Sequence, residues 1–358
     1  MNSVKNLSAN RILIIGPIAP PIGGVSIHIS RLADLIKKDF ELDFIDESRE
    51  IKKNYFNLRS LHFLRYFTKI KNSNLLYIHS GKNILRIFHL LAGKIFGKKI
   101  ILTIHSFKTG TSKIICLFNG KIYKLANTII VVNSEIKERL SLPEKKTIVK
   151  EAFIPPNIQE EPELPKNIQE IISQNKKKEN KIICANASRL EFHNNQDLYG
   201  LDQCLEVAER LFKKKIKFYF IFVVSSIEKN SDKFYKYKSQ INERHLQSNF
   251  LLTNEKLSFV KLMEQADIVV RPTNTDGDSI TIREAVFFKK PVLASNIVKR
   301  PEGVHLFRTR DIDDFEKKIT KLITLNFERD PSEKFTSALH LQLSKLYSEI
   351  IVKTLYAK

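Results

Sequence analysis

The chain has no apolar run approaching the roughly 18 residues needed to cross a bilayer. Its first residues, MNSVKNLSANR, are polar and lack an apolar signal core. Both absences point to a cytoplasmic protein. Cysteine is scarce. Cys116, Cys184 and Cys204 show no metal-ligand spacing and suit a reducing compartment as small buried hydrophobes. No G-x-G-x-x-G occurs, so a dinucleotide cofactor is not supported. Helix-turn-helix, zinc-knuckle and RNA-recognition signatures are missing as well, and no short-period repeat is visible. The most local deficit is of acid. Residues 51–134 hold 15 Lys and Arg and no Asp or Glu, within a net charge of +21.

That acid-free segment interleaves its bases with Tyr55, Phe56, Phe63, Tyr66 and Phe67. Such a surface faces nucleic acid or an anionic membrane. Anionic lipid attracts each Lys or Arg near its surface by roughly 1 kcal/mol. A general lysine bias would give solvated lysines everywhere, but it does not by itself empty the segment of acids. The membrane surface is the favoured partner, and nucleic acid is not expected.

With 358 residues the chain is long enough for two domains. Short apolar runs at 11–15, 42–45, 75–78, 100–104 and 128–132 read as strands. They alternate with helical patterns at 27–36, 58–71, 83–96 and 112–126. Continuous apolar runs between amphipathic helices are the pattern of parallel strands buried on both faces. Pro155, Pro156, Pro162 and Pro165 then mark a stiff linker at 154–165. The alternation restarts, with strands near 181–186, 216–224, 249–252, 267–271 and 291–295. Helices lie near 201–213, 231–246, 256–265 and 279–288, and further helix at 311–325 and 329–357. This gives an α/β fold of two doubly wound domains, 1–155 and 156–328, with a cleft between them. A final helix at 329–358 is expected either to cross back to the first domain or to mediate association. Ligands of such sheets bind beyond the carboxyl ends of the strands.

The stretch Asp276-Gly277-Asp278-Ser279-Ile280-Thr281-Ile282-Arg283-Glu284-Ala285 ends the strand at 267–271 and opens the next helix. Ser279 is the expected N-cap. Free N–H groups at that end bind a diphosphate, helped by the helix dipole. Glu284, more than a turn further on, can accept protons from both ribose hydroxyls. An ordinary capped helix with exposed acids has the same sequence pattern. Asp276-Gly277-Asp278 is also an Asp-x-Asp, a weak match to a divalent-metal motif. Gly23-Gly24 lies between the first strand and helix, where glycine also serves a plain tight turn. His28 follows on that helix, facing the cleft or its surface. His105 and Ser106 end the strand at 100–104, a place that points into the cleft. Ser188-Arg189-Leu190 closes the first strand of the second domain. Lys299 and Arg300 are read as solvated loop charges.

Together these motifs, with Lys290-Pro291-Val292-Leu293-Ala294-Ser295 behind them, resemble the retaining glycosyltransferases of family 4. The resemblance spans most of residues 11–310. It implies the GT-B arrangement of two facing Rossmann-like domains and a retaining sugar transfer from a nucleoside-diphosphate sugar, UDP or GDP. Asp276 stands where the family has a Glu and would face the transferred sugar, with Asn274, Thr275 and Asp278 beside it. Glu284 would hold the ribose. Ser279 and Ile280 would line the phosphates, and Gly23-Gly24 would approach donor phosphate and acceptor. His105 would contact the donor sugar, and Arg189 the diphosphate. The family's usual lysine five residues after that arginine is Asn194 here, so another base, His193 or Arg271, is sought. No metal is expected at this site. The implied acceptor is a lipid-linked saccharide at the inner membrane face, in surface polysaccharide assembly. The alternatives are a non-catalytic nucleic-acid- or membrane-binding protein, and a nucleotide-sugar epimerase on the same scaffold.

Overall fold

The structure is a computed structural model. It describes residues 10–20, 23–108, 110–228, 231–276, 279–325 and 333–357, the side chains of the last segment from 338 onward. The chain forms two compact units: residues 1–154 with 337–358, and residues 155–336.

Unit 1 runs β1 (Arg11–Gly16), α1 (Gly24–Ile36), β2 (Glu41–Asp46), β3 (Phe56–Asn57), α2 (Phe63–Lys71), β4 (Leu75–Ile78) and α3 (Asn83–Ile95). It continues β5 (Lys99–Ile104), α4 (Lys113–Tyr123), β6 (Thr128–Val131), α5 (Ser134–Arg139) and β7 (Thr147–Val149). Its seven strands are ordered β3-β2-β1-β4-β5-β6-β7, every pair parallel. Alternate residues serve opposite faces, as the pleat requires. Leu13 and Ile15 join one core cluster while Ile12 and Ile14 join another.

Unit 2 runs α6 (Lys166–Lys177), β8 (Lys181–Arg189), β9 (Phe192–His193), β10 (Gln196–Asp197), α7 (Leu201–Lys213), β11 (Phe218–Ser226), α8 (Ser231–Glu243) and β12 (Phe250–Thr253). There follow α9 (Phe259–Gln265), β13 (Ile268–Arg271), α10 (Ile280–Phe287), β14 (Val292–Ser295), β15 (His305–Phe307) and α11 (Ile312–Thr324). Six parallel strands are ordered β12-β11-β8-β13-β14-β15. Both sheets therefore wind outward in two directions from their first strand. The order reverses beside β1 in unit 1 and beside β8 in unit 2, and such reversal points open a crevice at the strands' carboxyl ends. The last helix, α12 (Glu333–Leu355), completes unit 1: Leu343, Tyr347, Ile350 and Ile351 are buried with Ile14, Tyr77 and Ile130.

Several details differ from the sequence reading. The helix expected at 58–71 starts at Phe63. Asn57 caps a short 3-10 turn through its bond from the Arg59 N–H (2.8 Å), and Leu61 is left-handed at φ 56°, which breaks the run. The proline-rich stretch is more than a linker, because Ile158 and Leu164 are buried in unit 2. Pro165 ends it just before α6, a helix the sequence reading left out although Ile168, Ile171 and Ile172 have helical spacing. The hairpin β9–β10 and the edge strands β7 and β15 are additions too.

Candidate functional site

The reversal point of unit 2 gathers its polar side chains from the ends of three strands. Arg271 closes β13 and donates to the Asn186 carbonyl at 3.2 Å and to Asp276 Oδ2 at 3.4 Å. Its guanidinium lies 4.9 Å above the Tyr199 ring. Arg300 comes from the loop after β14 and donates Nη1 to Asp276 Oδ2 at 2.9 Å. Its Nε and Nη2 go to Ser295 O and Thr273 Oγ1, each at 3.3 Å. Ser295 Oγ donates to Thr273 O at 2.6 Å, tying the ends of β13 and β14 together. The expectation that Arg300 is a solvated loop charge is thus overturned. Its side chain is 2% exposed, because its three donor directions are all consumed inside the fold. Of the two bases considered for the missing lysine, Arg271 is the one that enters this cluster, while His193 is exposed in the hairpin.

Two guanidinium groups share one carboxylate beside the N-terminus of α10. That end adds the partial positive charge of a helix start, worth roughly 0.3–1 kcal/mol toward an anion. Ser279 occupies the N-cap position with extended φ and ψ, as read from sequence. Its hydroxyl, however, makes no capping bond among the described residues, so the terminus is not closed by its own serine. Ile280 is the first helical residue. Thr281 Oγ1 donates to Asn186 Oδ1 at 3.3 Å, which sets that side of α10 against the end of β8. Glu284 follows three residues later on the same side and is 5% exposed. A buried acid at this place is not what a merely solvated capped helix presents. Asp278, with Gly277, lies outside the described residues.

Arg189 ends β8 half exposed and forms an ion pair with Glu191. Behind it the chain folds into the β9–β10 hairpin, whose two turn residues Asn194 and Asn195 have φ 50° and 59°. Both residues left-handed is the geometry of a type I′ turn, which asparagine tolerates best after glycine. This is why position 194 is no lysine: the backbone there serves a turn. The Asn-Asn pair was the signal available in the sequence. The hairpin braces the site, since Asn274 donates Nδ2 to His193 O at 3.3 Å and its N–H to Leu198 O at 3.1 Å. Asn274 Oδ1 is buried without a partner among the described residues, an acceptor open to a hydroxyl. Gly200, at φ 71°, passes so close to Pro272 that a Cβ would stand 2.2 Å from its carbonyl oxygen.

In unit 1, Gly23 is the N-cap of α1 and Gly24 its first residue. Neither has a positive φ, and a Cβ added at Gly24 would meet nothing within 4 Å. Neither the backbone conformation nor the space around them requires glycine at these two positions. His105 ends β5 and sits with His28 and His79. His28 is 4% exposed, so it is not a helix-surface residue. Burial holds its pKa down at about 4, partly offset by the Ala152 carbonyl, and holds His79 and His105 well below the usual imidazole range.

Residues 167–337 match the family described as Glycosyl transferases group 1. The whole chain is similar in fold to HepE of Anabaena, solved with UDP, at TM-score 0.66 and 13% identity over 96% of this chain and 100% of that one. It is similar to a glycosyltransferase of Rickettsia africae at TM-score 0.67 and 16% identity, over 98% and 99%. Sucrose-phosphate synthase of Thermosynechococcus elongatus aligns at TM-score 0.61 and 13% identity, over 96% and 99%. No curated protein sequence matches the chain. The two parallel sheets and the group 1 match define a glycosyltransferase of the GT-B fold. More particularly, unit 2 is a glycosyl transferases group 1 domain.

Proposed function

We propose that this glycosyltransferase moves a sugar, with retention of configuration, from a nucleoside-diphosphate sugar to a lipid-linked saccharide during assembly of a surface polysaccharide. The observation that carries the donor assignment is the Arg271–Asp276–Arg300 cluster at the open start of α10. A diphosphate there meets two guanidinium groups, the start of a helix and the nearby end of the strand that carries Arg189. Guanidinium–phosphate bonds are worth about 1.5–3 kcal/mol each. They gain strength as the bond to the sugar breaks and charge collects on the leaving diphosphate. Glu284 holds the ribose, Asp276 and Asn274 face the sugar, and Ser279 and Ile280 line the phosphates. The side chains named here carry the transfer without a metal. UDP as the nucleotide of the donor is favoured by the HepE complex, whose bound nucleotide is UDP.

The acceptor assignment draws on the outer layer of unit 1. Helices α2, α3 and α4 pack in succession. Ile84, Leu91 and Ile95 form an exposed stripe on α3, and Ile114, Leu117 and Phe118 another on α4. All lie in the acid-free segment among lysines and arginines. Apolar side chains in a basic field suit an anionic lipid surface. The place of action in this reading is peripheral, at the cytoplasmic membrane face; no helix among the described residues is long and apolar enough to cross a membrane. Incubation with UDP- and GDP-sugars and extracted lipid-linked saccharides, followed by anomeric analysis, tests the reading. A transferred sugar with the donor's anomeric configuration supports it; inversion, or sugar rearrangement without transfer, overturns it.

A further inference from the structure

Three histidines from separate elements of unit 1 converge. His28 is on α1, His79 follows β4, and His105 follows β5. Each offers one nitrogen, and these nitrogens lie within 4.8 Å of one another. His79 Nδ1 and His105 Nε2 are 3.1 Å apart. Metal–nitrogen bonds of about 2.0–2.1 Å in a tetrahedron place two ligand nitrogens about 3.3 Å apart. The pair therefore already stands near the spacing that two ligands of one ion adopt.

The third ligand is set by its far side. His28 Nδ1 is 2.6 Å from the Ala152 carbonyl oxygen. A carbonyl only accepts, so Nδ1 carries the hydrogen and Nε2 the lone pair. That Nε2 is buried with no hydrogen-bond partner among the described residues. A ring nitrogen fixed by a backbone carbonyl behind a free lone pair is how proteins orient imidazole ligands. Arg86, 1% exposed, holds the other two: it donates Nε to Ser80 O at 2.7 Å and Nη2 to Ser106 O at 3.0 Å, joining the residues that follow His79 and His105.

We propose that His28, His79 and His105 form a binding site for one divalent transition ion of the Zn²⁺ type. The set is all nitrogen, which suits Zn²⁺, Co²⁺, Ni²⁺ or Cu²⁺ and not Mg²⁺ or Ca²⁺, whose ligands are oxygens. His105 is the partly exposed member, which leaves a way in and a fourth position for solvent. Arg31, Arg86 and Lys150 lie close enough to lower the histidines' basicity and oppose the ion's charge, so binding is weaker than in a site with a carboxylate. His105 is also the residue that the sequence reading places at the donor sugar, but ion binding is read without donor and does not depend on that assignment.

The test is titration of the tag-free, EDTA-dialysed full chain with CoCl₂, read by visible absorption, then displacement with ZnCl₂. One saturable equivalent with the intense bands of low-coordinate Co²⁺ is expected. His28→Gln and His79→Gln should each weaken it at least about tenfold, while His62→Gln leaves it unchanged. No saturable equivalent, or full binding in both variants, overturns the proposal. Thermal melts without ion show whether each variant folds. If either does not, X-ray absorption of the Co²⁺-loaded natural chain decides: three imidazole ligands support the site, and one or none refutes it.

Discussion

Arg300 and Asp276 stand 24 residues apart in sequence and 2.9 Å apart in space. Their ion pair closes the loop after β13 onto the loop after β14, and Arg271 approaches the same carboxylate oxygen from β13. Replacing Arg300 by Met removes the nearer cation from a largely buried carboxylate. A loss of about 3–5 kcal/mol in unit 2 is expected, read from urea unfolding. Arg300→Lys should restore less than half, because a single ammonium cannot reach Asp276, Thr273 and Ser295 in one plane. Full restoration by lysine would show that charge alone matters.

Glu284 governs nucleotide binding in this scheme. A nucleoside diphosphate at 100 times its Kd should stabilise the protein by roughly 2.7 kcal/mol. The shift in melting temperature should vanish in Glu284→Ala at the same concentration. An unchanged shift would remove Glu284 from the ribose.

Arg189 is predicted to act in the rate. Its alanine variant should lose about 10²–10³ in kcat if it neutralises charge on the leaving diphosphate. Its pairing with Glu191 is half exposed, so folding stability should change by less than about 1 kcal/mol. Full activity in Arg189→Ala would end this role.

Asp46 predicts an acid limb of stability in unit 1. Burial works to raise its pKa, but bonds from Lys52, the Ile18 N–H and Ser48 outweigh that and lower it below 3.8. A carboxyl whose folded pKa is depressed contributes fully above the unfolded value. It loses that contribution as pH falls through the folded one. Asp46→Asn should therefore be less stable at neutral pH and flatter in melting temperature below about pH 4. Parallel curves for the two proteins would contradict the assignment.

The apolar stripes of α3 and α4 predict salt-sensitive sedimentation with anionic vesicles. Ile95→Glu with Ile114→Glu should reduce it at low salt, and about 1 M salt should weaken it in the natural chain, as screening shortens to about 3 Å. Equal sedimentation of the double variant would dismiss the lipid surface as the target of these helices.

The central strands were legible because strands covered on both faces must be apolar throughout: Leu75–Ile78 and Phe218–Val224 are fully buried. The edge strands were not. Thr147–Val149 and His305–Phe307 are three residues each, and only Phe307 among them is buried, so neither makes a long apolar run. In the site, Asp276, Ser279 and Glu284 could be placed because they share one strand-to-helix turn. Arg300 could not, since its role arises from three acceptors on other segments. Gathering His28, His79 and His105 needed the strand order, which brings β1, β4 and β5 side by side.

The return of α12 to unit 1 has a consequence for how the chain is made. Unit 2 is one uninterrupted stretch, whereas unit 1 is assembled from both sides of it. On the ribosome, residues 155–336 can finish folding while the sheet of unit 1 still shows Ile14, Tyr77 and Ile130 on a face awaiting Tyr347 and Ile351. The second domain to emerge is thus the first to be complete, and the nascent protein carries an exposed greasy face until its last helix has been synthesised.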